Sequence, residues 1–179
     1  QLHRKFRKPL ILMTPKSLLR HKRCVSKLSE LGPGSTFHRV LWDEGEGNRD
    51  ILTTDDKIKR VVLCSGKVYF DLEEQRNAAK KKNVYVLRLE QLYPFPAVAL
   101  NQELSRFPKA DVVWCQEEPQ NMGAWWHVFP RLETVLEELK HKTKRPKYAG
   151  RAESASTAAG SMAVHQMEQA TLVAEALGL

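Results

Sequence analysis

Long apolar runs are missing from this 179-residue chain: none approaches the roughly 18 residues that a helix needs to cross a bilayer. Cysteine is scarce as well. Cys24, Cys64 and Cys115 lie far apart, are odd in number and form no C-x-x-C. That argues against a disulfide framework or a zinc ribbon, and a reducing compartment fits best. Cys64 and Cys115 each close a Val-Val-x-Cys run and read as small buried hydrophobes. No H-E-x-x-H or H-x-x-x-H pair is present, nor a G-x-S-x-G elbow, nor a G-x-x-x-x-G-K-[ST] loop. Gly45-x-Gly47 lacks the third glycine of a dinucleotide fingerprint. No internal repeat is visible. No charged-then-apolar leader with a small-residue cleavage site opens the chain, so no signal peptide is expected. The first residue is Gln1, which suggests a processed chain or a piece of a longer one.

The hydrophobic fraction of 42% and charged fraction of 28% are those of a globular domain. The net charge is +8. Basic clusters at Arg4-Lys5-Arg7-Lys8, Arg20-His21-Lys22-Arg23, Lys80-Lys81-Lys82 and Lys142-Lys144-Arg145-Lys147 could attract a polyanion. No aromatic residues interleave with them, so solvated faces are the favoured reading over nucleic-acid binding.

Taken in order, residues 1–8 read as a basic arm or linker. Pro9 to Met13 reads as a first strand, and Thr14-Pro15 as the cap and first position of a helix. Cys24 to Leu31 has helical spacing and Gly32-Pro33-Gly34 stops it. Phe37 to Trp42 alternates like a strand, and Asp43 to Lys57 reads as a long surface loop. Arg60 to Cys64 is a buried strand, and Val68 to Lys82 a helix with Glu73, Glu74 and Arg76 outward. A strand over Val84 to Leu89, a helix over Ala97 to Phe107, a strand over Ala110 to Cys115 and a helix over Trp125 to Lys140 follow. Arg145 to Tyr148 is a candidate last strand. Gly150 to Gly160 is rich in Ala and Ser, and Val164 to Leu177 is a helix stopped by Gly178. The expected architecture is three-layer α/β/α with a mostly parallel five-stranded sheet. Its parts are an α/β domain over 9–149, a linker over 150–162 and a helix over 163–179 packed on that domain.

Three strand ends should share one rim, where open α/β sheets place ligands. The first carries Ser65, Gly66 and Lys67 at a helix start, either an anion pocket or a tight turn. On the second, alternation puts Arg88 and Glu90 on one face, for a mutual salt bridge or for anion binding by Arg88. The third, Glu117-Glu118, could be an acid–base pair if burial drove the two pKa values apart. No histidine is spaced to make it a metal site, His127 being nearest. The simpler use is an ion pair with Lys67 or Arg88, or a structural or interface role. These residues alone do not compose a complete active site.

Several blocks resemble the C-terminal region of 2-oxoglutarate dehydrogenase. They are Arg7-Lys8-Pro9-Leu10, Thr14-Pro15-Lys16-Ser17-Leu18-Leu19-Arg20-His21, Cys64-Ser65-Gly66-Lys67-Val68-Tyr69, Arg88 to Pro96, Trp114-Cys115-Gln116-Glu117-Glu118-Pro119, and Tyr148-Ala149-Gly150-Arg151 with His165. Departures are Phe70 for a second tyrosine, Met122 for a glutamine and Ala152 for a proline. The resemblance implies a domain like the third domain of transketolase-type enzymes, within a homodimer. It also implies a parent that uses thiamine diphosphate and Mg to decarboxylate 2-oxoglutarate and succinylate the lipoyl group of a dihydrolipoyl succinyltransferase. The Gly-Asp-Gly…Asn stretch that holds the Mg-diphosphate is absent, so this chain alone is expected to bind no cofactor or metal and to be inactive. Its partners would be the remaining domains of its own enzyme, in the cytoplasm of a bacterium or the mitochondrial matrix of a eukaryote. Acetyl-CoA or AMP is a possible effector, with Ser65, Gly66, Lys67 and Arg88 as candidate contacts. Glu117, Glu118 and Arg151 are candidate rim or interface residues. Open alternatives are a stand-alone nucleotide- or CoA-binding module and a nucleic-acid-binding domain.

Overall fold

A computed structural model describes residues 4–14 and 16–179. They fall into two compact units, residues 1–35 and 36–179. Among the described residues of the first, the regular structure is two 3-10 turns, Lys16–Arg20 and Leu28–Leu31, and neither buries a side chain. The strand expected over residues 9–13 is not formed: this stretch carries no helix or strand and has no place in the sheet. The expected position of Pro15 lies outside the described residues.

The second unit is a five-stranded sheet between two pairs of helices. Its strands are β1 (Val40–Leu41), β2 (Arg60–Cys64), β3 (Val84–Leu89), β4 (Asp111–Pro119) and β5 (Lys147–Arg151). Its helices are α1 (Val68–Ala78), α2 (Ala97–Leu104), α3 (Trp125–Glu138) and α4 (Met162–Leu177). The sheet order is β1-β3-β2-β4-β5. All neighbours are parallel except β1, which runs antiparallel to β3. This is the expected mostly parallel, doubly covered sheet.

Strand alternation sorts the core. Val61, Leu63, Tyr85, Leu87, Leu89, Val112 and Trp114 share one apolar cluster with Leu100, Leu104, Val128, Leu132, Val135 and Leu136 of α2 and α3. The alternate residues Val62, Cys64, Val86, Val113 and Cys115 are buried too, on the face where α1 and α4 pack. A sheet covered on both faces needs nearly continuous apolar strands, which is what β2, β3 and β4 supply.

Several boundaries differ from the sequence reading, for physical reasons. The strand expected over Phe37 to Trp42 shortens to two residues because Asp43 takes over beyond it. The Asp43 carboxylate accepts the Val86 N–H at 2.8 Å, on the edge of β3 that β1 no longer covers. Asp43 also accepts the Gly45 N–H at 2.8 Å and pairs with Arg76. Both charged residues are fully buried. Arg76 and Glu73 therefore face inward, not outward as helical spacing suggested. The loop after Asp43 is likewise no mere surface loop, since Leu52 and Ile58 enter the core. β4 does not stop at the first acid but runs on to Pro119, alongside β5. β5 itself claims Gly150 and Arg151, so the Ala/Ser-rich connection begins after Arg151.

Candidate functional site

The chain passes from β2 to β3 on one side, then crosses back to β4 on the other side of β2. The carboxyl ends of β2 and β4 therefore form a topological switch point, where the connections leave in opposite directions and open a crevice. Cys64 is in register with both Arg88 and Cys115. The three expected strand ends thus lie side by side on one rim.

Lys67 and Glu117 meet at the switch point. The Lys67 Nζ donates to Glu117 Oε1, and both side chains are partly buried. Gly66 precedes this pair with φ +72°, a left-handed turn that a side chain disfavours. Ser65 does not cap α1, whose N-cap position is Lys67 and has no side-chain cap bond.

Arg88 lies on the adjacent strand and does not pair with Glu90. Its guanidinium stacks 4.1 Å from the Tyr69 ring centroid and 5.7 Å from that of Phe70. It approaches Glu44 at 3.8 Å. Its Nε is buried without a hydrogen-bond partner. Phe70, at a place where the family resemblance led us to expect tyrosine, thus supplies a ring face to the arginine. The Tyr69 hydroxyl accepts the Glu44 N–H at 3.1 Å and holds that loop beside the rim.

The two adjacent acids do not form a pair. Both lie where the β4–β5 ladder shifts register between Cys115 and Pro119, and the two side chains take different surroundings. Glu117 turns to Lys67 while Glu118 is exposed. Acid–base cooperation between them has no geometry to support it. Among the described residues no group of three His, Cys, Asp or Glu side chains could hold a metal. His127 instead bonds through Nε2 to the Leu92 carbonyl at 3.0 Å.

Arg151 ties the rim to α4. Its Nη1 donates to the Glu117 carbonyl at 2.8 Å. Its Nη2 lies 2.9 Å from His165 Nδ1 and 3.3 Å from Gln169 Oε1, and its Nε lies 2.9 Å from Glu168. The sequence reading singled out Arg151 but not Gln116, the residue on which the turn after β4 depends. Gln116 is buried. Its Oε1 accepts Trp114 Nε1–H and Trp125 N–H, each at 2.9 Å. Its Nε2 donates to the carbonyls of Glu118, Pro119 and Met122. Nothing but its place inside an apolar run, just before the acids, marked it in the sequence.

A mostly parallel sheet covered on both faces, with a polar switch point and an antiparallel edge strand, is an arrangement like the C-terminal domain of transketolase-type enzymes. Residues 25–177 match the family model described as 2-oxoglutarate dehydrogenase C-terminal. The chain belongs to this family. It is 58% identical to the 2-oxoglutarate dehydrogenase E1 component of Brucella anthropi and 57% identical to those of Brucella ovis and Brucella suis biovar 1. Each match covers 99% of this chain and 18% of the relative. The chain therefore spans less than a fifth of the length of these curated relatives. Neither a stand-alone regulatory module nor a nucleic-acid-binding domain draws support from these matches.

Proposed function

We propose that this chain is the C-terminal part of a thiamine-diphosphate-dependent 2-oxoglutarate dehydrogenase E1 component. The longer enzyme would decarboxylate 2-oxoglutarate and pass the succinyl group to a lipoyl group of dihydrolipoyl succinyltransferase, in the tricarboxylic acid cycle. The observation that carries this reading is identity of 57–58% sustained across 99% of the chain. The relatives come from bacteria, which favours the cytoplasm. The residues in hand do not fit the Mg-diphosphate itself. The Gly-Asp-Gly…Asn stretch is absent from the sequence, and the switch point is closed by a lysine–glutamate pair rather than lined by ligands. Cofactor chemistry is therefore assigned to other parts of a homodimeric parent.

The role of this domain is assembly. Tyr93 is 80% exposed on the loop after β3, and Trp126 is 56% exposed in the first turn of α3. The His127–Leu92 bond joins these two elements. Aromatic side chains on a polar rim suit a surface buried against the rest of the enzyme. In the longer polypeptide, supplied with Mg²⁺ and thiamine diphosphate, CO₂ release should depend on 2-oxoglutarate. The 179-residue chain should show no heat of cofactor binding. Micromolar affinity in the isolated chain would overturn the assignment of the cofactor to other domains.

Effector binding at Ser65, Gly66, Lys67 and Arg88 is a second reading. It is favoured by the switch-point location and by the unpartnered Arg88 Nε. An anionic group such as that of acetyl-CoA or AMP would take Lys67 from Glu117. Lys67→Ala should then weaken binding at least about tenfold, the loss of one charge-assisted contact. Absence of binding by both the chain and the longer polypeptide would leave assembly as the only role.

A further inference from the structure

Residues 9–13 have strand chemistry and no sheet. Leu10, Ile11, Leu12 and Met13 are 65%, 84%, 69% and 93% exposed. Leu19, Val25, Leu28 and Leu31, in and around the two turns that follow, are 73–87% exposed. No side chain among the described residues of 4–35 is buried. Exposed apolar side chains in this number mark a missing partner.

The pattern says what kind of partner. In an extended chain Leu10 and Leu12 point one way, Ile11 and Met13 the other. All four are apolar, so both faces of the segment require cover. That is the signature of a strand within a sheet that has layers on both sides, not of an edge open to water. Pro9 suits the first position of such a strand, because its missing N–H removes no ladder bond there. Five residues are too few to cross a bilayer, where a strand needs about 9–11. A ribbon formed by two copies would be two-stranded, and two strands alone are marginal in water.

Similarity to longer proteins bears on where that partner lies. Similarity to the relatives covers 99% of the chain, yet the C-terminal family unit begins only at residue 25. Nearly all of the first 24 residues are thus shared with the relatives but fall outside that unit. The relatives are more than five times longer than this chain. We propose that residues 9–13 form a β-strand of a separate α/β domain that lies upstream in the same polypeptide. The boundary to the domain described above then falls at Gly32-Pro33-Gly34, not before Pro9. The proposal rests on the chain being part of a longer E1-type polypeptide.

Amide hydrogen exchange tests it, measured on the longer polypeptide and on the 179-residue chain. Peptides covering residues 9–13 should exchange at least about 100-fold more slowly in the longer polypeptide, as strand amides in a folded domain do. Ile11→Asp in that polypeptide should restore fast exchange; if that variant does not fold, the wild-type comparison still decides. Equal rates in the two proteins would overturn the proposal. So would protection in the 179-residue chain that grows with its concentration, since a second copy would then be the occupant. Activity on 2-oxoglutarate is recorded separately. An inactive polypeptide with protected amides removes the functional reading alone, and an active one with unprotected amides removes this proposal alone.

Discussion

Gln116 shows what a single uncharged side chain contributes. It satisfies two donors and three carbonyls where β4 turns into α3. Gly123 completes the turn at φ +66°, where a Cβ would come within 2.9 Å of the Gln116 Nε2. Replacing Gln116 with Leu keeps the volume but strands the Trp125 N–H and the Trp114 indole N–H in an apolar setting. The expected loss is about 2–4 kcal/mol, the range for breaking a buried hydrogen-bond network. It should appear as a lower urea midpoint at unchanged slope, and a change below about 0.5 kcal/mol would show that the turn has another anchor. The sequence directed attention one residue further on, to Glu117 and Glu118, because charge is conspicuous and a satisfied amide is not. Arg76 was misread for a related reason. A charged residue on a helix is taken to face water, yet its partner Asp43 stands 33 positions away in a loop that spacing cannot place.

Among the elements, the central strands were legible because burial on both faces writes a continuous apolar run. β2 and β3 fall where those runs fall. The ends were less legible, since pairing rather than composition decides them. β4 carries its two acids through a register shift after Cys115 and rejoins β5 where Pro119 pairs with Arg151. In α4 the Gly178 stop was readable and is realised at φ +69°. Its apolar residues are buried only in the second half. Leu172, Val173, Ala176 and Leu177 are buried, but Val164 and Met167 are 38% and 64% exposed. Polar bonds hold the first half of the helix instead: Arg151 to His165, Glu168 and Gln169, and Gln169 to Asp71. The second half has Arg60 donating to the carbonyls of Glu175 and Ala176. Arg151→Met should therefore loosen one half only. Amides of residues 162–169 should exchange at least about tenfold faster, while those of 172–177 keep their rate. Uniform acceleration along α4 would mean that the helix docks as one rigid unit and that Arg151 is not its local tether.

Across the whole molecule, part of the stability is linked to phenols and thiols that burial keeps neutral. Burial pushes the Tyr148 phenol up from 10.0 to about 12. It raises Tyr69 and Tyr85 further, and the Tyr85 hydroxyl also donates to Glu46 at 2.7 Å, a bond that favours the protonated form. The Cys64 and Cys115 thiols, buried side by side on adjacent strands, are likewise driven well above their ordinary 9.0. The sign follows from linkage. These groups hold their protons more tightly folded than unfolded, so their contribution is complete below the unfolded values near 9 and 10. As pH rises past those values the unfolded chain releases protons that the folded chain keeps, and stability falls, continuing through the folded value near 12 for Tyr148. The urea midpoint should thus decline between pH 9 and pH 11. Phenolate absorbance from Tyr69, Tyr85 and Tyr148 should emerge together with loss of the near-ultraviolet circular dichroism rather than before it. Reversible ionisation of all three in a chain that keeps its tertiary signal would show that burial does not hold these phenols in their neutral form.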